Sequence, residues 1–468
     1  MDSAVGSGSA VDGLTAGVAR VVITPPVGIG MVGYAGRGPS VGIHDDLQAT
    51  VLVLAEQIGG NAAAAGRVAL VTLDVLGMQG EAITTAIKSQ VEQVTGIPAA
   101  RVFLACSHTH YGPVVSPPHD GESDGAAQAL AYQAALPHHV AGAVVMADAA
   151  RRPITLAAGR GDVRIGINRR ERLPDGRIIL GQNPAGTIDT EVQVWRLDAA
   201  DGAAVDPGAP LGWLQRAPEP VAVLINYACH PVSLASQMRL ISAEFPSVTR
   251  GVVEHLVGGT ALYVQGACGN INPGLIGRDW GHPVRLGRAL GAEATRVALL
   301  AQPIAGTPLR VVREAVAFPG MLPASKEAGR EQIVRLEADR ERLAAQQGND
   351  GAKWWNARGL ERARQALEAL ESGERVVVEG ELSVLRLGDA ALAFNPTELF
   401  CEFGMAIKAA SPFPWTAIAG YTDGSAGYFP TRASYPEGGY EVDRACRVAP
   451  EAGELLQETT IRLLQSVR

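Results

Sequence analysis

Residues 101–113 read R-V-F-L-A-C-S-H-T-H-Y-G-P. Val102 to Ala105 make an apolar run of strand length, and the polar residues after it, with Gly112 and Pro113, close it in a turn. Side chains alternate across a strand, so His108 and His110, two residues apart at its end, point the same way. One reading puts a metal ion or a reacting group in front of both. The plainer one has one histidine capping the turn and the other facing solvent. The rest of the chain has to choose between them.

Just upstream, Val68 to Leu73 is a second apolar run, ending in Asp74, and a helical pattern from Glu81 to Val94 joins the two. Gly17 to Ile23 and Leu47 to Ala55 are earlier strands. Downstream, Ala127 to Ala150 reads as an Ala-rich helix with a break at Pro137. Strands follow at Ile154 to Val163, Ile178 to Leu180, Val192 to Leu197, Val221 to Tyr227 and Ala261 to Gln265, with loops at 207–210 and 217–220. Ser247 to Val257 and Arg285 to Leu300 are helices between them and beyond. Val376 to Leu387, Ala390 to Phe394 and Trp415 to Ala419 return to strand, and Leu399 to Ala410 and Glu451 to Ser466 to helix. Strands alternating with helices predict an α/β fold: mixed β-sheets flanked by helices, with reactive groups at the strand ends.

The composition shifts near Pro323. Ile333, Leu336 and Leu343, then Leu360, Ala363, Leu367 and Leu370, recur at helical spacing in highly charged surroundings. Residues 324–373 are therefore expected to form a helical hairpin inserted on the surface, with a lid or partner-binding arm as the sharper reading. The N-terminal residues 1–13 read as a flexible tail and 14–468 as one catalytic domain.

With 47% hydrophobic and 19% charged residues, the chain has material for a large core. Its formal charge of −8 and its 5% aromatics argue against nucleic acid as a partner. No apolar stretch is long enough to predict a transmembrane helix. The N-terminus lacks the basic and apolar regions of a signal peptide, and five cysteines do not suggest a disulfide framework. Together these predict a cytoplasmic protein whose cysteines, Cys106, Cys229, Cys268 and Cys401 among them, are packed thiols rather than metal ligands.

Further stretches put polar groups at or beyond the end of an apolar strand: His230 after Val221 to Tyr227, and Glu398 after Ala390 to Phe394. The loop after the last strand offers Tyr421, Tyr428, Tyr435 and Tyr440. Histidines and a glutamate converging at strand ends suit zinc, which favours nitrogen and carboxylate ligands. The residues themselves do not choose among the four tyrosines.

The chain resembles the catalytic domain of the neutral/alkaline (non-lysosomal) ceramidase family. The resemblance rests on G-V-A-R-V-V-I-T-P-P at 17–26, H-D-D-L at 44–47, S-H-T-H-Y-G-P at 107–113, I-N-R at 167–169 and Y-A-C-H-P at 227–231. It continues with G-N-I-N-P at 269–273, N-P-T-E at 395–398 and Y-F-P-T-R-A-S-Y-P-E-G-G-Y-E at 428–441, in the family's order. It implies a Zn²⁺ ion held by His108, His230, Glu398 and Tyr428, the last a phenolate-type ligand. It places His110 beside the reacting group, and Arg169 and Tyr440 against substrate polar groups or the developing oxyanion. We assign proton transfer to His110, and expect Asp74 and Asp45 either to orient a ligand imidazole or simply to cap turns.

The chain departs from the family in two ways. Where the family has G-D-V-S-P-N with a serine implicated in catalysis, residues 269–274 read G-N-I-N-P-G. Asn272 stands at the serine position; it cannot act as a nucleophile but can orient water or donate a hydrogen bond. The chain also ends after one closing helix, without the family's C-terminal β-sandwich, which points away from a long-chain sphingolipid. The expected function is a zinc-dependent amidohydrolase acting on a small or medium-sized N-acyl compound. An ester or lactone hydrolase, or an inactive zinc-binding scaffold or sensor, is the alternative. Homo-oligomerisation is left open.

Overall fold

In the larger sheet, whole strands are apolar because both faces are covered. Along Gln48–Gln57, Ala49, Val51 and Val53 face one core and Leu52 and Leu54 the other; along Val68–Leu73, Ala69 and Val71 oppose Val68 and Leu70 in the same way. The computed structural model describes residues 13–57, 66–113, 115, 126–200, 220–346, 348 and 350–468. Residues 1–12 of the expected tail and the 207–210 and 217–219 loop segments lie outside them, while Gly13 and Pro220, expected in tail and loop, each open a strand.

Neighbouring strands of this sheet are Thr260–Gln265, Pro220–Tyr227, Glu191–Ala199, Arg152–Asp162, Gly13–Val22, Gln48–Gln57, Val68–Leu73 and Val102–Cys106, with Gln302–Ile304 beside Arg152–Asp162. A second sheet runs Leu309–Pro319, Val377–Leu387, Ala390–Phe394, Trp415–Ala419. The two sheets pack face to face: Leu52, Leu70 and Leu224 share a core with Leu385 and Leu392, and Phe103 stacks on Phe394 with ring centres 4.2 Å apart. Helices cover both outer faces. Glu81–Thr95, Ala126–Ala149, Glu244–Val257 and Gly281–Leu299 lie on the larger sheet, and Cys401–Ala410 and Ala452–Ser466 on the smaller. The α/β class with helix-flanked mixed sheets is as the sequence predicts, and among the described residues no helix is long and apolar enough to cross a membrane.

Within these two sheets three pairs of strands are parallel: Val68–Leu73 with Val102–Cys106, Pro220–Tyr227 with Thr260–Gln265, and Ala390–Phe394 with Trp415–Ala419. A parallel pair needs a crossover, and in each case a helix supplies it: Glu81–Thr95, Glu244–Val257 and Cys401–Ala410. The first two pairs sit at opposite edges of the larger sheet, and those edges come back toward each other. The carboxyl ends of these strands carry the polar residues singled out in the sequence, which is where open α/β sheets gather their ligands.

The predicted hairpin is present as Lys326–Ala344 and Asp350–Ser372, inserted between two strands that pair along their whole length, Leu309–Pro319 and Val377–Leu387. Ser325 caps its first helix, its hydroxyl accepting from the Ala328 N–H at 3.1 Å. The break expected at Pro137 is not there: Ala126–Ala149 runs straight through it, held by Tyr132, Leu136, Val140 and Val144 in the core. Packing overrides the local penalty of proline.

Candidate metal centre

The chain leaves the strand Val102–Cys106 with the Ser107 N–H on the Leu73 carbonyl (2.8 Å) and the His108 N–H on that of Val75 (3.0 Å). His108 adopts a left-handed backbone, φ 66°, and is 3% exposed. Its Nδ1 lies 2.6 Å from the Leu76 carbonyl. His230, fully buried beyond Pro220–Tyr227, sets its Nδ1 2.7 Å from the Cys268 carbonyl and 3.1 Å from that of Ile271. His110 sets its Nδ1 3.2 Å from the carbonyl of Gly33. Gly33 has φ 104°, and a Cβ there would fall 2.7 Å from that nitrogen, so only glycine fits. Carbonyls only accept, so each Nδ1 carries the proton and each Nε2 turns its lone pair inward, that of His230 also lying 3.4 Å from Arg169 Nη1.

Those lone pairs converge. His108 and His110 bring their Nε2 atoms to 3.3 Å. Glu398 Oε2 lies 3.4 Å from His108 Nε2 and 3.3 Å from His230 Nε2. Glu398 and Tyr428 are register partners in a two-stranded parallel sheet, Thr397–Leu399 with Gly427–Phe429, and the Tyr428 hydroxyl lies 3.4 Å from His230 Nε2. Ligand atoms about 2.0–2.1 Å from a tetrahedral zinc ion lie about 3.3–3.4 Å from one another. The donors around Glu398 have that spacing, so the residues present fit such an ion. His108, His110 and His230 together also form a group able to hold a metal ion.

Electrostatics agree with lone pairs awaiting a cation. Burial, aided by the neighbouring His108 and His230, holds His110 well below its usual range, and burial with Arg169 pulls His230 down to about 4. Burial works against the Glu398 carboxylate, but positive charge on the side of the His108 and His230 imidazoles, which a bound cation would supply, outweighs it and lowers the carboxyl well below its usual range. The Tyr428 phenol is pushed well up by burial, with Glu398 and Tyr440 adding to the effect and Arg169 opposing it.

Arg169 is 4% exposed and backs the cluster. Its Nε donates to Glu441 (2.7 Å) and its Nη1 to the Asn272 side-chain oxygen (3.2 Å), while Nη2 is buried without a partner. Glu441 is anchored in turn by Arg170 at 2.9 Å. Tyr440 packs edge-on against Tyr428, ring centres 5.8 Å apart, and burial pushes its phenol up, followed by Glu398, so it stays a donor. The hairpin reaches this rim, where Trp355 meets Tyr440 edge-on at 5.7 Å.

No protein-family model matches the chain, and no curated protein does. Solved structures do. A ceramidase complexed with C2 superimposes with a TM-score of 0.71 over 98% of this chain and 76% of that one, at 19% identity. The neutral ceramidase from Pseudomonas aeruginosa gives 0.69 over 98% and 75%, at 17% identity. The chain has a ceramidase fold.

On that ceramidase fold, His108, His110, His230, Glu398, Tyr428, Arg169, Asn272 and Tyr440 all meet at one place. Asp74 and Asp45 orient none of the cluster's imidazoles. Asp74 accepts from Arg250 (2.6 and 2.9 Å) and from the Gln48 N–H, and Asp45 binds His44 (2.7 Å), Ser242 and the Ala243 N–H. Backbone carbonyls orient the imidazoles instead. His108 and His110 do share a focus, though by the left-handed turn at His108 and not by strand alternation, because the strand stops at Cys106. Tyr435 turns away to the Val448 carbonyl. All five cysteines are buried free thiols. The sequence reading passed over Glu441, whose one signal was its place after Tyr440, and Gly33, whose signal was a glycine-rich loop.

Proposed function

We propose that the protein is a zinc-dependent amidohydrolase that cleaves the N-acyl bond of a small or medium-sized substrate. The observation that carries this reading is the convergence of His108, His230, Glu398 and Tyr428, each imidazole tied at Nδ1 and turning its Nε2 to the common centre, on a ceramidase fold. These four would hold the ion, whose chemistry when bound is to polarise a carbonyl and acidify water.

The chain's own groups supply the rest. His110, neutral and adjacent, accepts the proton of the attacking water and returns it to the leaving amine. Tyr440 donates to the carbonyl oxygen as it becomes an oxyanion, and the free Nη2 of Arg169 adds a fixed positive charge beside it. Asn272, its oxygen taken by Arg169, offers its NH₂ as a donor and no nucleophile.

The test is metal content together with product analysis. Purified protein is expected to carry about one zinc per chain and to release free acid and amine from N-acyl substrates, stopping with chelator and resuming with zinc. Acid released from esters or lactones but never from amides moves the protein to the ester class. Zinc binding with no hydrolysis leaves a scaffold or sensor.

A further inference from the structure

Tyr421 has no part in that scheme, yet it is built into the centre. It follows the strand Trp415–Ala419 with φ 55°, a left-handed conformation that non-glycine residues avoid. Its ring lies on the His108 imidazole, centres 3.9 Å apart and planes 29° apart. His108 is itself left-handed, so two strained residues face each other across the stack. Strain of this kind persists only where the surroundings over-determine it, and it gathers at functional sites.

The hydroxyl points elsewhere. It meets Cys268 Sγ at 3.1 Å, and the carbonyl of the same Cys268 accepts from His230 Nδ1 at 2.7 Å. Gln265 holds that sulfur from another side at 3.0 Å. The Tyr421 backbone is pinned as well, its carbonyl accepting the Cys106 N–H at 3.2 Å. One side chain thus touches the plane of one imidazole and the anchor of another, although the two come from opposite edges of the larger sheet.

We propose that Tyr421 is a positioning residue that couples His108 and His230, its ring setting the plane of the first and its hydroxyl, through Cys268, the anchor of the second. The inference rests on the metal-binding reading above. In this role Tyr421 acts through the two imidazoles and not on substrate or ion directly. A residue that only filled space would affect folding and leave the affinity of the folded protein alone. A coupling residue changes the geometry in which the two nitrogens meet the ion.

The experiment strips metal from the full chain, titrates it with Co²⁺ while recording the visible ligand-field bands, and then measures Zn²⁺ affinity by competition. Wild type, Tyr421→Leu and Tyr421→Phe are compared, with thermal unfolding of each metal-free protein alongside. Loss of ring and hydroxyl in Tyr421→Leu is expected to weaken Zn²⁺ binding about 10- to 100-fold and to alter the Co²⁺ bands. Tyr421→Phe keeps the stack and should recover most of this, remaining about threefold weak for want of the hydroxyl contact. Wild-type affinity and bands in a folded Tyr421→Leu overturn the proposal, even if its unfolding temperature drops. If the leucine variant does not fold, the phenylalanine variant decides, and wild-type binding there overturns the coupling. A wild-type chain that takes up neither ion defeats the metal reading itself, a result separate from any difference among variants.

Discussion

Two parallel strands, Val68–Leu73 and Val102–Cys106, leave the larger sheet side by side, and the polar residues beyond them meet opposite fates. Asp74, at the end of the first, is 1% exposed and fully answered: Arg250 donates to both its oxygens and Gln48 adds a backbone N–H. His108, beyond the second, is 3% exposed and turns a bare nitrogen toward His110 and Glu398. Both look alike in sequence, a polar residue where an apolar run stops. A buried group matters structurally when the protein supplies its complement. It becomes a site when several groups of one kind converge and the complement is left to come from outside.

The comparison can be broken from either side. Removing a converging nitrogen should abolish function while sparing the fold: His230→Ala is expected to lose its zinc and at least about 100-fold in turnover, more than outer partners of a metal cost. Metal analysis and turnover on the same preparation check this, and retained zinc would remove His230 from the ligand set. Removing the complement of Asp74 should do the reverse. Arg250→Met strands a buried carboxylate and should cost about 3–5 kcal/mol in urea unfolding, while the folded fraction keeps its metal. Loss of metal from folded Arg250→Met would show that the two strand ends are not independent.

The frame of this arrangement was legible in the sequence. Each strand-helix-strand unit announced itself by periodicity, and His108, His230 and Glu398 stood out as polar residues at the ends of apolar runs. Which of those residues form the site was not. Arg250 lies 176 positions from Asp74, and Glu441 lies 272 from Arg169, so no local pattern shows that either is paired. Periodicity left four tyrosines equal. What separates them is the pairing that sets Tyr428 opposite Glu398, a register fixed only when the last loop folds back on the sheet. The oxygens that orient the imidazoles belong to Leu76, Cys268 and Gly33, and a backbone carbonyl has no sequence signature.

Two carboxyls, one partly and one fully buried, extend the contrast to pH. Glu398 is held well below its usual range by positive charge on the side of His108 and His230. Glu244 has φ 63° and accepts N–H bonds from Ser233 and Phe245, and burial pushes its carboxyl up to about 7. A glutamate in the unfolded chain titrates near about 4.3. Between the two values the folded state binds the extra proton, so this contribution is fully present below the unfolded value and is lost as pH rises through about 7. Its ceiling is about 4 kcal/mol. Unfolding free energies of the wild type and Glu244→Gln, measured from pH 5 to 8, should diverge with the wild type falling relative to the variant. A difference independent of pH would mean that Glu244 is ionised in the fold.

The smallest effect tests whether the hairpin belongs to the site or only rests on the surface. Its packing on Tyr440 is one edge-on ring contact from Trp355, with Arg362 donating to the Arg444 carbonyl at 2.6 Å nearby. Such a contact contributes about 1 kcal/mol. Trp355→Ala should then lower kcat/KM roughly fivefold, by loosening Tyr440 where it meets the oxyanion, with zinc content unchanged. If kcat/KM holds while stability falls by the same 1 kcal/mol or so, the hairpin is a surface insertion whose contact with Tyr440 is packing alone. A loss confined to substrates with longer acyl groups would instead make Trp355 a wall of the acyl pocket. The hairpin would then be the element that selects substrate length, on a centre otherwise assembled from the ends of three crossovers.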